Sequence, residues 1–141
     1  MTWIVKTTQF DLDTCGSFSV VNITEQVRDF VRSSGVGEGQ ALVFYKHTTG
    51  AVLVGEHEAG IIADWQDMFE QISPLNRPYL HHFKAVDFNG YAHLRSALLT
   101  VSVTIPVVGG DLALGTYQDI LVIDDQSDPA NRKVIVQVMG L

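Results

Sequence analysis

The hydrophobic pattern along the chain changes its period several times, and each change predicts a different element. Residues 2–10, TWIVKTTQF, place β-branched and aromatic side chains in rough alternation with polar ones, which predicts a strand. Across residues 24–34 the apolar positions Val27, Phe30 and Val31 recur at helical spacing, with charged residues opposite them. The chain is therefore predicted to pass from strand to amphipathic helix near its N-terminus.

The clearest helix is predicted for residues 58–74, where Ile61, Trp65 and Phe69 lie on one apolar stripe. Residues 91–99 fit another, shorter helix. Strand patterns flank these helices on both sides. They cover residues 16–23, 40–48, 51–56, 101–108, 111–114, 117–125 and 132–140.

A Thr-Gly pair joins two of these predicted strands, 40–48 and 51–56, which are therefore expected to pair as a hairpin. Consecutive strands with two to three helices between them indicate an α+β fold. The expected architecture is a single compact domain, residues 1–141, built as a largely antiparallel β-sheet sandwich.

Composition adds that the chain is an acidic protein of ordinary globular type. A hydrophobic content of 46% with 18% charged residues argues against disorder. The net charge of -7, with only nine scattered Lys and Arg residues, disfavours a nucleic-acid partner. Cys15 is the single cysteine, so no internal disulfide is expected. The N-terminal residues lack a signal-peptide apolar run and no segment is long enough to span a bilayer, which predicts a cytoplasmic protein without a membrane partner.

The histidines provide the strongest candidate chemistry. His47 closes a predicted strand, while His81, His82 and His93 flank the irregular connection 75–90. Three imidazoles that converge from these places would suit a borderline metal such as zinc, with a coordination position left open for water. Because the chain has no HxxxH or CxxC spacing, the alternative that these histidines never meet stays open.

Other polar residues carry weaker signals. Glu56 is a candidate general base, whereas Glu58 better fits the first turn of the following helix, where the helix dipole favours a carboxylate. The turn GTYQD, 115–119, offers backbone amides to an anion, although a Gly-Thr pair between strands is more often only a turn. Arg95 is able to pair with a phosphate or a carboxylate, and the alternative is a solvated position on a helix surface.

Several motifs stand in a characteristic order between His47 and Gly140. They are HTTGAVLVGE, YLHH, DFNGYAHLRSALL, VSVTIPVVGGDLALGTYQDI and NRKVIVQVMG. In this order they resemble the YjbQ family, whose members are often labelled secondary thiamine-phosphate synthase enzymes. The resemblance implies a compact α+β subunit that assembles as a homotrimer, with a pocket near the subunit interfaces.

The resemblance also implies a site that draws on several of these motifs. His47, His81 and His93 are implied to bind a divalent metal, with zinc as the candidate, or a phosphate, and His82 is the alternative to His81. The resemblance implies catalytic roles for two carboxylates, Glu56 and Asp87. The positions implied to bind substrate or an anion are Thr48, Asn89, Arg95, Gly115, Thr116 and Gln118.

This chain departs from the family pattern around the implied site. Gly55 and His57 replace the asparagines that usually flank Glu56. Thr100 stands where a glycine is common, and Tyr117 replaces a tryptophan. Because the histidines are retained while their surroundings differ, the centre of the site is expected to persist and the identity of the substrate stays open.

Three functions follow as hypotheses. The first is an enzyme with a phosphorylated small-molecule substrate, which in the thiamine-phosphate synthase reaction would join a phosphorylated pyrimidine to a thiazole phosphate with loss of pyrophosphate. The second is a metal-assisted hydrolase of a small phosphorylated compound. The third is a non-catalytic trimer that binds a metal or a metabolite.

Overall fold

The structure is a computed structural model that describes all residues from 1 to 141. Its strands are β1 (Ile4–Asp13), β2 (Ser19–Asn22), β3 (Gly39–Tyr45), β4 (Gly50–Gly55), β5 (Ser102–Val108), β6 (Asp111–Leu112), β7 (Asp119–Asp124) and β8 (Asn131–Gly140). Its helices are α1 (Thr24–Ser34), α2 (Ala59–Ile72), α3 (Leu80–Lys84) and α4 (Gly90–Leu99). Five strands form one sheet in the order β1-β8-β3-β5-β6, and three form a second sheet in the order β2-β7-β4.

The core lies between the two sheets and follows from the period-two pattern of the strands. In β8 the side chains of Val134, Val136 and Val138 are fully buried, while the residues between them are partly exposed. All the strand pairs are antiparallel, and Val136 lies opposite Val43 of β3. The predicted α+β domain with a largely antiparallel sheet sandwich is confirmed.

The predicted hairpin of residues 40–48 and 51–56 is wrong. β3 pairs with β5 and β8 in the larger sheet, whereas β4 pairs with β7 in the smaller one. Both strands bury apolar side chains in the same core, Val43 from one sheet and Val52 from the other. Residues 46–49 therefore cross from one sheet to the other, and this crossing positions His47.

The connection after α2, predicted to be irregular, contains the five-residue helix α3, so the domain has four helices rather than two or three. The predicted helix 91–99 is confirmed as α4. No helix combines the length and the apolar character needed to cross a membrane.

Exposed apolar side chains concentrate on the helices after β4 and on the connections between these helices. Phe69 is the buried residue of α2, although the helix carries a longer apolar stripe. The exposed large apolar residues of this region are Met68, Ile72, Leu75, Leu80, Phe83, Val86, Phe88, Leu94 and Leu98. Exposed apolar side chains grouped in one region are typical of contact surfaces.

Candidate functional site

A cleft of about 810 Å³ opens where β3 ends, beside α4 and the start of β5. We call it the His47 cleft. Its polar lining residues are Lys46, His47, Thr48, His93, Ser96, Thr100 and Ser102. No Asp or Glu lines it, although the chain carries a net charge of -7. The lining therefore offers hydrogen-bond donors and positive charge.

The tautomer of His47 is fixed by the backbone of β8. Its Nε2 accepts a hydrogen bond from the Lys133 N–H at 2.8 Å, so a neutral ring must carry its proton on Nδ1. Arg132 Nη1 lies 3.4 Å from that Nδ1. Burial, and then the positive charge of Arg132, lower the pKa of His47 and favour the neutral ring. Two donors, Nδ1–H and Nη1–H, thus face each other without an acceptor between them.

A buried polar network fixes Arg132 behind His47. The guanidinium Nε lies 2.9 Å from Asp124 Oδ2 without the alignment of a hydrogen bond, and Nη2 donates to Gln126 Oε1 at 2.6 Å and Thr49 Oγ1 at 3.0 Å. The Tyr45 hydroxyl donates to Asp124 Oδ2 at 2.5 Å. Burial, and then this bond, raise the pKa of Tyr45. The arginine is therefore held by Asp124 of β7 and by one residue from each of two connections, and Tyr45 of β3 in turn holds Asp124.

The sequence prediction of the site did not include Arg132 or Asp124. Arg132 occupies the buried phase of β8, two residues before Val134, and its side chain is only 9% exposed. Asp124 ends a run of buried residues in β7. A charged residue in the buried phase of a strand was the available signal, because charged side chains are seldom buried unless they are paired.

The structure brings together four of the residues predicted near the irregular connection. The ring centroids of His81 and His93 are 4.6 Å apart, and His81 Nε2 lies 3.0 Å from Asn89 Oδ1. Burial, and then the neighbouring His81, lower the pKa of His93, while the charge of Asp87 acts in the opposite direction. Because His93 also lines the His47 cleft, this group extends the cleft towards α3.

His82, the alternative to His81, has a different environment. Its Nε2 accepts a hydrogen bond from the Gly90 N–H at 3.2 Å. Its ring packs between Tyr79 and Phe88, with centroid distances of 5.3 Å and 5.4 Å. His82 therefore fixes the start of α4, and His81 is the one that contacts His93.

Glu56 and the turn 115–118 lie at the opposite end of β4 from His47. β4 begins beside Asp124 and ends at Gly55, which pairs with Asp119 at the start of β7. A strand of this length separates its ends by about 17 Å. Glu56 is exposed just beyond Gly55. One chain therefore does not bring these predicted residues to the His47 cleft.

The turn itself is exposed and has one internal side-chain bond. Gln118 Oε1 accepts a hydrogen bond from the Gly115 N–H at 2.9 Å, and Thr116 and Tyr117 lie between them, both exposed. Glu58, on the same side of the molecule, is the N-cap of α2 and accepts from two backbone N–H groups, which lower its pKa. The interpretation of Glu58 as a helix-start residue is confirmed.

Arg95 lies in an internal ion-pair cluster, and neither Arg95 nor Arg132 is itself among the lining residues of the His47 cleft. Its guanidinium donates to Asp125 Oδ2 at 3.0 Å, to Glu70 Oε2 at 2.9 Å and to the Ser73 carbonyl at 2.7 Å. Two carboxylates therefore balance its charge. With Asp67 it lines a second cavity, of about 470 Å³, which we call the acidic cavity.

The donors of one chain do not fit a zinc centre of three histidines. No group of three or more His, Cys, Asp or Glu side chains in residues 1–141 is placed to hold a metal ion. In His47 the lone pair of Nε2 accepts from Lys133, and Nδ1 faces the guanidinium of Arg132. His81 and His93 contact each other, which makes a pair rather than a triad.

The fold and the cleft together define a class: an α+β domain of two antiparallel sheets with a histidine at the crossing between them. The chain matches the family model described as UPF0047 protein YjbQ-like over residues 8–141. It therefore belongs to the YjbQ-like family, UPF0047, and the resemblance in its motifs is confirmed.

Relatives and solved structures agree with this membership. A UPF0047 protein of Methanothermobacter thermautotrophicus is 35% identical over 96% of this chain and 93% of its own length. A UPF0047 protein of Archaeoglobus fulgidus is 37% identical over 93% of this chain and 99% of its own length. A YbjQ-like protein of unknown function from Sulfolobus solfataricus has a TM-score of 0.93 at 30% identity, covering 99% of this chain and 100% of that one. These comparisons define a family of unknown function and its fold.

Proposed function

We propose that this protein is an enzyme whose His47 cleft binds a small phosphorylated compound. One observation carries the proposal: a chain of net charge -7 lines its largest cleft with a lysine and two histidines and with no carboxylate. The acidic cavity has the opposite character, since Asp67, Glu70 and Asp125 line it. Charge separation of this kind favours an anionic ligand in the first cleft.

The anion-binding position lies between His47 and Arg132. Nδ1–H and Nη1–H are both donors, and they lie 3.4 Å apart, so they do not satisfy each other. A phosphate oxygen to one side of the line that joins them, about 2.8 Å from each nitrogen, accepts from both, and the bond from the guanidinium is charge-assisted. In this proposal Arg132 supplies the cation that was predicted for Arg95.

His93 is the candidate for proton transfer in the cleft. Burial keeps its pKa below the ordinary value, so its neutral ring is available as a base at neutral pH. The reaction proposed from the family resemblance joins a phosphorylated pyrimidine to a thiazole phosphate with loss of pyrophosphate. His47 and Arg132 would hold phosphate oxygens as the negative charge develops.

The second half of the predicted site would come from a neighbouring subunit. Glu56 and residues 115–118 lie about 17 Å from the His47 end of β4, which is too far for one substrate centre in one chain. The exposed apolar side chains of α2, α3 and α4 support a subunit contact over these helices. We propose a homotrimer, and sedimentation as a monomer at micromolar concentration would contradict it.

A divalent metal, with zinc as the candidate, stays a prediction for this family site. Elemental analysis of the purified protein tests it, with His93→Ala as the variant. Stoichiometric zinc that is lost in this variant supports a metal centre completed between subunits. Protein that binds phosphate without any metal supports the anion-binding position alone.

Two substitutions of His47 test the anion-binding position as a matched pair. Asn places its amide N–H where Nδ1 lies, whereas Gln keeps an acceptor where Nε2 lies and offers no donor at Nδ1. In calorimetric titration with inorganic phosphate we expect His47→Asn to retain most of the affinity. We expect His47→Gln to lose about 10-fold or more, the effect of one charge-assisted hydrogen bond. Equal affinity of both variants and the wild type would refute the position.

Turnover distinguishes an enzyme from a binding protein. The substrates are thiamine precursors and a panel of small phosphate esters. Turnover of either that is lost in His93→Gln, with the melting temperature preserved, supports catalysis. Phosphate binding without turnover of any of them favours the alternative of a trimer that binds a metabolite.

A further inference from the structure

Thr100 has a backbone conformation that residues with a side chain rarely adopt. It lies between α4 and β5 with φ of 74° and ψ of 166°. This region of conformational space is used almost only by glycine, because a Cβ atom collides there with the neighbouring backbone. A β-branched residue is the least suited to it. A threonine at this position therefore destabilises the chain relative to glycine.

The Thr100 side chain makes no hydrogen bond within the folded chain that would offset this strain. The residue is exposed, and its hydrogen bond, from its N–H to the Ser96 carbonyl at 3.0 Å, is made by the backbone. Glycine would make the same bond without strain. The stability of the fold therefore does not account for threonine at position 100.

The strained residue faces the proposed ligand. Thr100 lines the His47 cleft together with His47, Thr48, His93 and Ser102. Its hydroxyl, like those of Thr48 and Ser102, is free to bond a ligand in the cleft. Strained backbone that persists beside a binding site commonly serves the ligand rather than the fold.

We propose that Thr100 is a specificity-determining residue of the His47 cleft. Its hydroxyl donates a hydrogen bond to the phosphate group of the ligand, and its methyl group narrows the cleft between α4 and β5. This proposal rests on the proposed function, because it assigns Thr100 to the same phosphorylated ligand. A glycine here would leave a wider cleft with one donor fewer.

Three variants separate the effect of the backbone strain from the effect of the Thr100 hydroxyl. The readouts are phosphate affinity, from calorimetric titration with inorganic phosphate, and the melting temperature, from thermal unfolding. Thr100→Gly removes both, and we expect its melting temperature to rise by about 3–8 °C while phosphate affinity falls about 10-fold. Thr100→Val keeps the shape and the strain without the hydroxyl. We expect it to melt near the wild-type temperature and to lose affinity as Thr100→Gly does. Thr100→Ser keeps the hydroxyl and should bind within about 3-fold of the wild type.

Each contrary outcome has a distinct meaning. Wild-type affinity in both Thr100→Gly and Thr100→Val, with affinity still lost in His47→Gln, would overturn the role of Thr100 and leave the proposed function intact. A wild type that does not bind phosphate would overturn both. A Thr100→Gly protein that melts below the wild type would show that the backbone is not strained. A change in sedimentation without a change in phosphate affinity would assign Thr100 to a subunit contact and refute the proposal.

Discussion

Two arginines, Arg132 and Arg95, sit on either side of the end of β7 and illustrate two uses of a buried cation. Each pairs with one of two consecutive aspartates, Asp124 and Asp125, and each side chain is less than a tenth exposed. Arg95 has a second carboxylate in Glu70 and a carbonyl acceptor as well. Arg132 has one carboxylate and directs Nη1 at a ring nitrogen that is itself a donor.

Arg95 uses its donors within the fold, whereas Arg132 keeps one donor directed at His47. Arg95 joins α4 to α2 and to the end of β7, so its hydrogen-bonding capacity is used within the fold. Arg132 is held as firmly, but its network leaves a donor directed at the His47 region. A fixed donor without an acceptor contributes to binding at little entropic cost, because the protein does not have to reorganise.

Removal of each arginine in turn gives the largest effects and tests the comparison most strongly. Arg95→Met and Arg132→Met each leave a buried aspartate without its partner, and we expect each to lower the free energy of unfolding by about 3–5 kcal/mol in urea titrations. Phosphate affinity of the folded fraction should survive in Arg95→Met and be lost in Arg132→Met. Loss in both variants, or in neither, would remove the distinction between the two sides.

A matched pair of tyrosines gives the next largest effect. Tyr45 donates to the Asp124 carboxylate, whereas Tyr91 donates to the Asp125 backbone carbonyl at 2.7 Å. Because bonds to charged acceptors are stronger, we expect Tyr45→Phe to cost about 1.5–3 kcal/mol and Tyr91→Phe about 0.5–1.5 kcal/mol of unfolding free energy. Equal costs in urea unfolding would contradict the charged character of the network behind His47.

The free energy of unfolding should depend on pH in opposite directions through the histidines of the His47 cleft and through Asp125 of the acidic cavity. The pKa values of His47 and His93 are lowered in the folded chain, so the unfolded chain binds more protons as pH falls through about 6.5 and stability decreases. Burial raises the pKa of Asp125, so its contribution is lost instead as pH rises above about 3.9. Urea unfolding at pH 5.5 and 7.5 should show the wild type less stable at the lower pH. His93→Gln should flatten that difference, and an unchanged slope would contradict a depressed pKa for His93.

Surface carboxylates give the smallest effects on stability. Glu56 is exposed and Glu70, the outer partner of Arg95, is 54% exposed, so neither Glu56→Gln nor Glu70→Gln should change the free energy of unfolding by more than about 1 kcal/mol. If Glu56 serves the neighbouring subunit's cleft, its variant alone should abolish turnover. Full turnover in Glu56→Gln would remove it from the catalytic residues.

The sequence was most informative where structure depends on local periodicity. The alternation in β8 and the helical stripe of α4 predicted elements that the structure confirms, because each reports which face meets the core. The hairpin prediction failed because membership in a sheet depends on distant strands: β3 pairs with β8 and β4 with β7. In the sequence, residues 46–49 fit the turn of a hairpin and the connection between two sheets equally well.

The candidate site likewise contains residues that the sequence indicated and residues that it did not. His47, His93 and His81 carried recognisable chemistry, and the structure places His47 and His93 on one cleft with His81 against His93. The environment of Arg95 was not predictable, since its partners come from α2, from the residue after α2 and from the end of β7. The neighbours of Arg132 in the sequence do not indicate that His47 lies beside it, because the two residues meet only in the folded chain.

The proposed role of His47 requires that it present a protonated Nδ1 to an anion in the His47 cleft. Nitrogen NMR of protein labelled with ¹⁵N-histidine tests it most directly, with the His47 signals assigned by their loss in His47→Asn. At pH 7.5 we expect a neutral ring with the proton on Nδ1, and a shift of that Nδ1–H signal when inorganic phosphate is added. A ring protonated on Nε2, or an Nδ1–H signal that saturating phosphate leaves unmoved, would refute this role of His47.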